Sequence, residues 1–112
     1  MPKYIPNEGE IVWLEFDPQS GHEQKGRRPA LVLSPASYNG RVGLMLCCPI
    51  TSQAKGYPFE VLVNTKEVSG VVLSDQVKSL DWQARNASCA GAISQDGLAE
   101  VRQKLKVLLG PS

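Results

Sequence analysis

The residues with the most obvious capacity for chemistry lie together in one glycine-hinged loop, which reads GHEQKGRRPALVLSP from Gly21 to Pro35. A histidine, a glutamate, a lysine and two arginines precede an apolar segment that looks like a buried strand. Such a loop either meets a charged partner or is an ordinary solvated turn. Arg28 is the most constrained of these residues, because the ring of Pro29 restricts the backbone of the residue before it.

The overall charge limits the partners that this loop could meet. Twelve Lys and Arg residues oppose eleven Asp and Glu residues, which gives a formal net charge of +1. This balance argues against a protein that coats nucleic acid indiscriminately, but it allows a local basic site. Lys25, Arg27 and Arg28 form the densest positive cluster in the chain.

The cysteine and histidine content argues against a metal centre. Cys47, Cys48 and Cys89 lack metal-ligand spacing, and the two adjacent cysteines cannot readily bridge each other. We interpret all three as buried thiols in a reducing compartment. Because His22 is the single histidine, the sequence supplies no visible zinc ligand set. We therefore expect neither a metal nor another cofactor.

Length and hydropathy predict a single domain over residues 1–112. The chain is 42% hydrophobic and is long enough for one core. The first residues lack the features of a secretory signal, and no apolar run approaches the roughly 20 residues that span a bilayer. We therefore expect a cytoplasmic protein without a membrane segment.

Apolar and alternating segments predict the short strands that would position the loop. The predicted strands cover Gly9–Phe16, Pro29–Ser34, Leu44–Ile50, Phe59–Asn64, a long or broken Gly70–Asp81, and a short Ala90–Ile93. The pair Asn39-Gly40 predicts a hairpin turn before the third of these strands.

From Ser94 onward the hydrophobic period becomes helical. Ser94 is the predicted N-cap, and Gly110-Pro111 is the predicted stop signal. The apolar positions of this helix are Leu98, Val101, Leu105 and Leu108. Many short strands and one terminal helix indicate a mainly β fold, a small curled sheet or barrel with the helix packed on its core.

Three longer blocks carry a family resemblance. They are GEIVWLEFDPQSGHEQKGRRPALVLSP, CPITSQAKGYPFEV and GVVLSDQVKSLDWQAR, and together they cover most of the chain. In their order and spacing the sequence resembles the MazF/PemK family of toxin endoribonucleases, which includes Kid and ChpB. The resemblance implies an SH3-like or CcdB-like barrel with a C-terminal helix, and a homodimer. It also implies metal-independent cleavage of single-stranded RNA and inhibition by a MazE-like antitoxin with an acidic tail.

The resemblance also implies catalytic roles. The arginine of the family's Arg-Pro pair corresponds to Arg28, whose planar guanidinium can hold two phosphate oxygens and stabilise the transition state. Thr51 matches the second catalytic position, where its hydroxyl could donate to a phosphate oxygen, although a lone threonine more often bonds its own backbone. Glu23 is the candidate general base, since a carboxylate near positive charge stays ionised.

Relatives similar to Kid are thought to use an aspartate, a histidine and an arginine instead. The first two match Asp75 and His22, but the third position is Leu73. We therefore interpret Asp75 and Gln76 as base-reading residues. For His22, a surface hydrogen bond is the alternative to a role at the RNA site.

The remaining candidates would bind RNA. Trp13 could stack on an unpaired base, with partial burial in the core or a dimer surface as the alternative. Lys25, Arg27 and Lys55 would attract backbone phosphates. Ser52 is a possible helper beside Thr51, and we assign the aromatic rings of Tyr57 and Phe59 to packing.

Two other functions are compatible with such a barrel. A CcdB-like gyrase poison would bind a protein and cleave nothing, and the Arg-Pro pair together with the CPITSQ block argues against it. An RNA-binding module without activity is the other, and no RNA-recognition signature supports it. The similarity of SDQVKS to relatives that cut at an ACA-containing triplet implies a triplet of that type.

Overall fold

The structure, a computed structural model, describes residues 4–15 and 26–110. Within these ranges the chain forms seven strands and two helices. In chain order they are β1 (Glu10–Glu15), β2 (Arg27–Val32), α1 (Ala36–Val42), β3 (Leu44–Thr51), β4 (Glu60–Asn64), β5 (Ser69–Leu73), β6 (Lys78–Asp81), β7 (Ser88–Ala92) and α2 (Gln95–Leu109).

The strands form one curled antiparallel sheet. Strand β3 belongs to two parts of it, because it pairs with β6 along its first half and with β5 at its end. The strand order is β4-β5-β3-β2-β1-β7, and β6 also pairs with β3. The first half of β3, from Leu44 to Cys47, pairs with β6, whereas Ile50 and Thr51 at its end pair with β5. The change of partner places Thr51 where the two parts of the sheet meet. The predicted mainly β fold with a C-terminal helix is confirmed.

The core consists of two apolar clusters on opposite faces of the central strands. Because side chains alternate along a strand, β1 contributes Ile11 to one cluster and Val12 and Leu14 to the other. The first cluster contains Ile11, Leu31, Cys48, Ile50, Val61, Val63, Val68, Val72, Ala90 and Val101. The second contains Val12, Leu14, Ala30, Val32, Met45, Cys47 and Trp82. Both faces of β1 and β2 are therefore anchored.

Helix α2 begins where the sequence predicts it. The Ser94 hydroxyl accepts a hydrogen bond from the Gly97 N–H at 3.0 Å and satisfies one of the free donors of the first turn. Leu98 and Val101 pack against the first cluster. Leu108 is 48% exposed, so the predicted packing of the helix on the core holds for its first turns only.

The hairpin predicted at Asn39-Gly40 is wrong, because helix α1 occupies this segment. Asn39 is fully buried, and its side-chain amide donates to the carbonyls of Pro6 at 2.8 Å and Ser34 at 2.9 Å. A buried amide with both donors satisfied outweighs the local turn preference of an Asn-Gly pair. The left-handed residue is instead Gly43, which ends α1 with a φ of 84°.

The segment predicted as a long or broken strand is broken. Strand β5 ends at Leu73 and β6 begins at Lys78, and β6 pairs with the opposite half of β3. The turn between them carries Asp75 and Gln76. Among the described residues, no helix has the length and apolar character needed to cross a membrane.

Candidate active site

Arg28 and Thr51 lie on the walls of one cleft. The pairing of β2 with β3 ends at Ala30 and Pro49. Extending that register by two residues brings Arg28 opposite Thr51, on the same face of the sheet. The cleft between them measures about 420 Å³, and we name it the Arg28 cleft. It is lined by Trp13, Arg27, Arg28, Pro29, Ile50, Thr51, Ser52, Gln53, Glu67, Val68 and Ser69.

The guanidinium of Arg28 is exposed at this cleft. It forms no hydrogen bond or ion pair with any residue that the structure describes. Pro29 follows it, and β1 pairs with β2 through Leu14 and Arg28. The backbone of Arg28 is therefore held while its charge stays available for an anion.

The Thr51 hydroxyl is oriented by its own loop. Its Oγ1 accepts a hydrogen bond from the Gln53 N–H at 3.1 Å, which is the backbone bond expected as the alternative for this residue. Since a hydroxyl can accept and donate together, this contact leaves its proton free to donate into the cleft. The bond to its own backbone is therefore compatible with donation from the Thr51 hydroxyl to a phosphate oxygen.

Gly70 supports Thr51 from the neighbouring strand. A Cβ atom at Gly70 would lie 2.2 Å from the Thr51 carbonyl oxygen and 3.2 Å from the Ser52 Cα. No side chain fits in that space, so β5 can approach β3 closely only with glycine at this position.

A second cleft of about 720 Å³ adjoins the first, and the two share Thr51 and Gln53. We name it the Gln76 cleft. It is lined by Thr51, Gln53, Lys55, Gly56, Tyr57, Pro58, Glu60, Leu73 and Gln76. Glu60 holds its loop in place, since its carboxylate accepts hydrogen bonds from the N–H groups of Lys55 at 2.9 Å and Gly56 at 3.1 Å.

Of the two predicted base-reading residues, only Gln76 lines this cleft. Asp75 accepts a hydrogen bond from the Tyr57 hydroxyl through its Oδ2 atom. That hydrogen bond raises the pKa of Tyr57. The Oδ1 atom of Asp75 is buried and has no partner among the described residues. The ring of Tyr57 packs against that of Phe59, with centroids 5.9 Å apart, as predicted. Tyr57 is nevertheless 44% exposed, and its hydroxyl also holds the Asp75 carboxylate.

The other predicted RNA-binding residues are distributed unevenly. Trp13 packs on the first core cluster, which confirms the partial burial given as the alternative, and it also lines the Arg28 cleft. Stacking on a base stays a prediction. Ser52 lines the same cleft, and Lys55 lines the Gln76 cleft. Arg27 contributes to the Arg28 cleft, but its guanidinium is bonded to neighbouring strands. His22, Glu23 and Lys25 lie outside the described residues.

The thiols show two different environments. Cys47 and Cys48 are buried as predicted, and burial raises the pKa of each thiol to about 12. Cys89 is exposed, against the prediction. Over residues 4–15 and 26–110, no group of three or more His, Cys, Asp and Glu side chains is arranged to hold a metal ion.

The sequence did not point to Glu60, Gly70 or Glu67 as residues of the site. Glu60 and Gly70 act through the backbone of a neighbouring segment, which a sequence pattern does not display. Glu67 reaches the Arg28 cleft from the turn between β4 and β5. A glycine at the start of a predicted strand was the one available signal, because such a glycine often marks a close backbone approach.

The fold and the two clefts define a small, mainly β protein with a surface groove in which Arg28 has no ion-pair partner among the described residues. The profile of the PemK-like, MazF-like toxins of type II toxin-antitoxin systems matches residues 7–109. The chain therefore belongs to this family, as its sequence blocks predicted.

Individual relatives match over nearly the whole chain. The endoribonuclease toxin MazF of Escherichia coli K12 is 48% identical over 108 residues, which is 96% of this chain and 97% of that protein. The endoribonuclease toxin ChpB of the same strain is 37% identical, covering 90% of this chain and 91% of ChpB. A MazE-MazF crystal structure from Deinococcus radiodurans contains a chain 55% identical to this one. It matches with a TM-score of 0.88, covering 98% of this chain and 100% of that chain.

Proposed function

We propose that this chain, an endoribonuclease toxin of a toxin-antitoxin system, cleaves single-stranded RNA in the Arg28 cleft. The 2′-hydroxyl loses its proton and attacks the adjacent phosphorus, the bond to the 5′-oxygen breaks, and that oxygen takes a proton from solvent. The products carry a 2′,3′-cyclic phosphate and a 5′-hydroxyl. The observation that carries the proposal is the exposed side chain of Arg28, which has no partner among residues 4–15 and 26–110 and lines one cleft together with Thr51.

Arg28 supplies the positive charge for this reaction. Negative charge accumulates on the phosphate oxygens in the transition state, and a fixed guanidinium stabilises it without reorganisation. The Thr51 hydroxyl donates a hydrogen bond to one of those oxygens. Because these protein groups supply the charge and the donor, we propose that the reaction needs no metal.

The proton of the 2′-hydroxyl requires a base. We propose Glu23 for this role, because it precedes Arg28 in the same loop and a carboxylate beside positive charge remains ionised. His22 and Lys25 of that loop are proposed to contact the RNA.

The Gln76 cleft is proposed to hold the base that determines the cleavage site. The Gln76 amide can donate and accept hydrogen bonds at a base edge, and single-stranded RNA exposes those edges. Asp75 contributes to base reading only when Tyr57 releases its carboxylate. Trp13 stacks on an unpaired base, while Ser52 and Lys55 contact the RNA backbone.

A protein partner is proposed for the same groove. Solved relatives include MazE-MazF complexes, and the groove presents positive charge that an acidic antitoxin tail would match. Inhibition then follows from competition with RNA. We further propose a homodimer located in the cytoplasm.

The test is incubation of the purified protein with a long single-stranded RNA in EDTA, followed by mass spectrometry of the fragment ends. We expect cleavage with cyclic phosphate and 5′-hydroxyl ends. Intact RNA together with inhibition of gyrase would instead support a CcdB-like poison, which none of the similarities favours. Cleavage that needs an added divalent ion would contradict the metal-free reaction.

A further inference from the structure

The side chain of Arg27 connects three strands at the edge of the Arg28 cleft. Its Nη2 atom donates to Ser88 Oγ at 2.9 Å, to the Asn86 carbonyl at 3.2 Å and to the Trp13 carbonyl at 3.4 Å. Its Nη1 atom lies 3.6 Å from Glu15 Oε2. Arg27 is in β2, Trp13 and Glu15 are in β1, and Ser88 begins β7.

These contacts follow from the register of the sheet. Glu15 and Trp13 share a face of the sheet with Arg27, because Glu15 is the direct partner of Arg27 on β1 and Trp13 is two residues away. Trp13 is in turn the partner of Ser88 on β7. The guanidinium of Arg27 therefore crosses β1 and reaches β7.

The beginning of β2 is paired on one side only. The pairs between β2 and β3 begin only at Ala30, so residues 27–29 pair with β1 alone. Two of the four contacts of Arg27 are with β1, and the other two connect this singly paired segment to Ser88 of β7 and to Asn86 in the turn before it. Arg28 follows directly in the chain, and the direction of its side chain depends on the backbone that Arg27 holds.

The positive charge of Arg27 is also partly balanced by the carboxylate of Glu15. Glu15 faces it at 3.6 Å, and both side chains are 37% exposed. A guanidinium that has a carboxylate and three oxygen acceptors around it has fewer donors left for phosphate than Arg28 has.

We infer that Arg27 is a positioning residue that fixes the start of β2 and thereby aims Arg28 into the cleft. This inference rests on the proposed function and gives Arg27 a role different from phosphate binding. It predicts that loss of a partner of Arg27 lowers the cleavage rate, as loss of Arg27 does, even though the positive charge of Arg27 is retained.

The experiment compares Arg27→Ala with Ser88→Ala and Glu15→Gln, two variants that keep Arg27 and remove one of its partners. For each we would measure the single-turnover cleavage rate at saturating enzyme, and the affinity for an all-2′-deoxy oligonucleotide of the same sequence. We expect Arg27→Ala to lower the saturated rate about tenfold or more, because small displacements of a catalytic group are costly. Ser88→Ala and Glu15→Gln should lower it by smaller factors, with affinity nearly unchanged.

Two further variants separate positioning from a loss of stability. Asn39→Ala removes buried hydrogen bonds at a residue that lines neither cleft. It should therefore lower the melting temperature and leave the saturated rate intact at a temperature where the protein is folded. Arg27→Lys can restore one contact and should recover part of the rate lost in Arg27→Ala. The double variant Arg27→Ala/Ser88→Ala should be no slower than Arg27→Ala, since the second change removes a contact already lost.

A defect in binding alone would contradict the positioning role of Arg27. If Arg27→Ala weakens binding in a salt-dependent way at a normal saturated rate, and Ser88→Ala and Glu15→Gln match the wild type, Arg27 binds phosphate and the inference is wrong. A wild-type protein that cleaves no RNA at all would contradict the proposed function instead.

Discussion

Replacement of Gly70 by alanine is expected to slow RNA cleavage through its effect on Thr51. The added Cβ would lie 2.2 Å from the Thr51 carbonyl oxygen and 2.9 Å from its carbonyl carbon. Ordinary contact begins at 3.4 Å, so β5 and β3 must separate by about 1.2 Å at this point. The nearest atoms belong to the backbone, and no side-chain rotation can relieve the overlap.

The size of the effect follows from that displacement. A shift of roughly 1 Å in a catalytic group can cost on the order of a hundredfold in rate. Forcing an extra carbon into a packed site costs about 1–3 kcal/mol of stability. We therefore expect Gly70→Ala to lower the saturated cleavage rate by about a hundredfold, with a moderately lower melting temperature.

The assay is single-turnover cleavage at saturating enzyme, below the melting temperature of every variant. Gly40→Ala is the matched control, because its Cβ would meet only the Ile5 side chain, at 3.1 Å, within α1. We expect that control to retain the wild-type rate. A folded Gly70→Ala protein that cleaves at the wild-type rate would refute the proposed dependence of catalysis on the position of Thr51.

Three further predictions concern stability, specificity and pH. Asn39→Ala leaves buried carbonyl groups without donors and should cost about 2–4 kcal/mol of unfolding free energy in urea titrations; a loss below about 1 kcal/mol would contradict the importance of this network. Tyr57→Phe releases the Asp75 carboxylate, so sequencing of fragment ends should show a changed set of cleavage sites, and an identical set would show that Asp75 does not read bases. Burial raises the pKa of Cys47 from 9.0 to about 12, so the folded state retains a proton that the unfolded state loses in this range. The free energy of unfolding should therefore fall as pH rises above about 9, by up to about 1.4 kcal/mol per pH unit for this thiol. Cys47→Ala should reduce that slope without abolishing it, because the pKa of Cys48 is raised to about 12 as well.

Local patterns predicted most of the secondary structure because each signal was also satisfied by tertiary packing. The alternation in β1 matches two cores on opposite faces, and Ser94 caps α2 by a bond within a single turn. The Asn39-Gly40 signal failed because the Asn39 amide finds buried partners in distant segments, such as Pro6. A propensity for a turn contains no information about those partners.

The candidate site was predictable to a similar extent. Arg28 and Thr51 could be found from their motifs, and the sheet brings them together. The bonding of Arg27 to β7 and the close approach of Gly70 to Thr51 depend on strand register and could not be read from residue order. The hydrogen bond from the Tyr57 hydroxyl to Asp75 likewise joins residues that are 18 positions apart in the chain, so residue order does not reveal it.

The central claim is that Arg28 stabilises the charge that forms during cleavage, and one comparison tests it most directly. Arg28→Ala and Arg41→Ala each remove one exposed arginine, but Arg41 lies in the last turn of α1 and lines neither cleft. In single-turnover cleavage at saturating enzyme, Arg28→Ala should be slower by about a hundredfold or more, because it loses a group that acts in the transition state. Arg41→Ala should match the wild type. Equal saturated rates for Arg28→Ala and the wild type, with both proteins folded, would contradict the account.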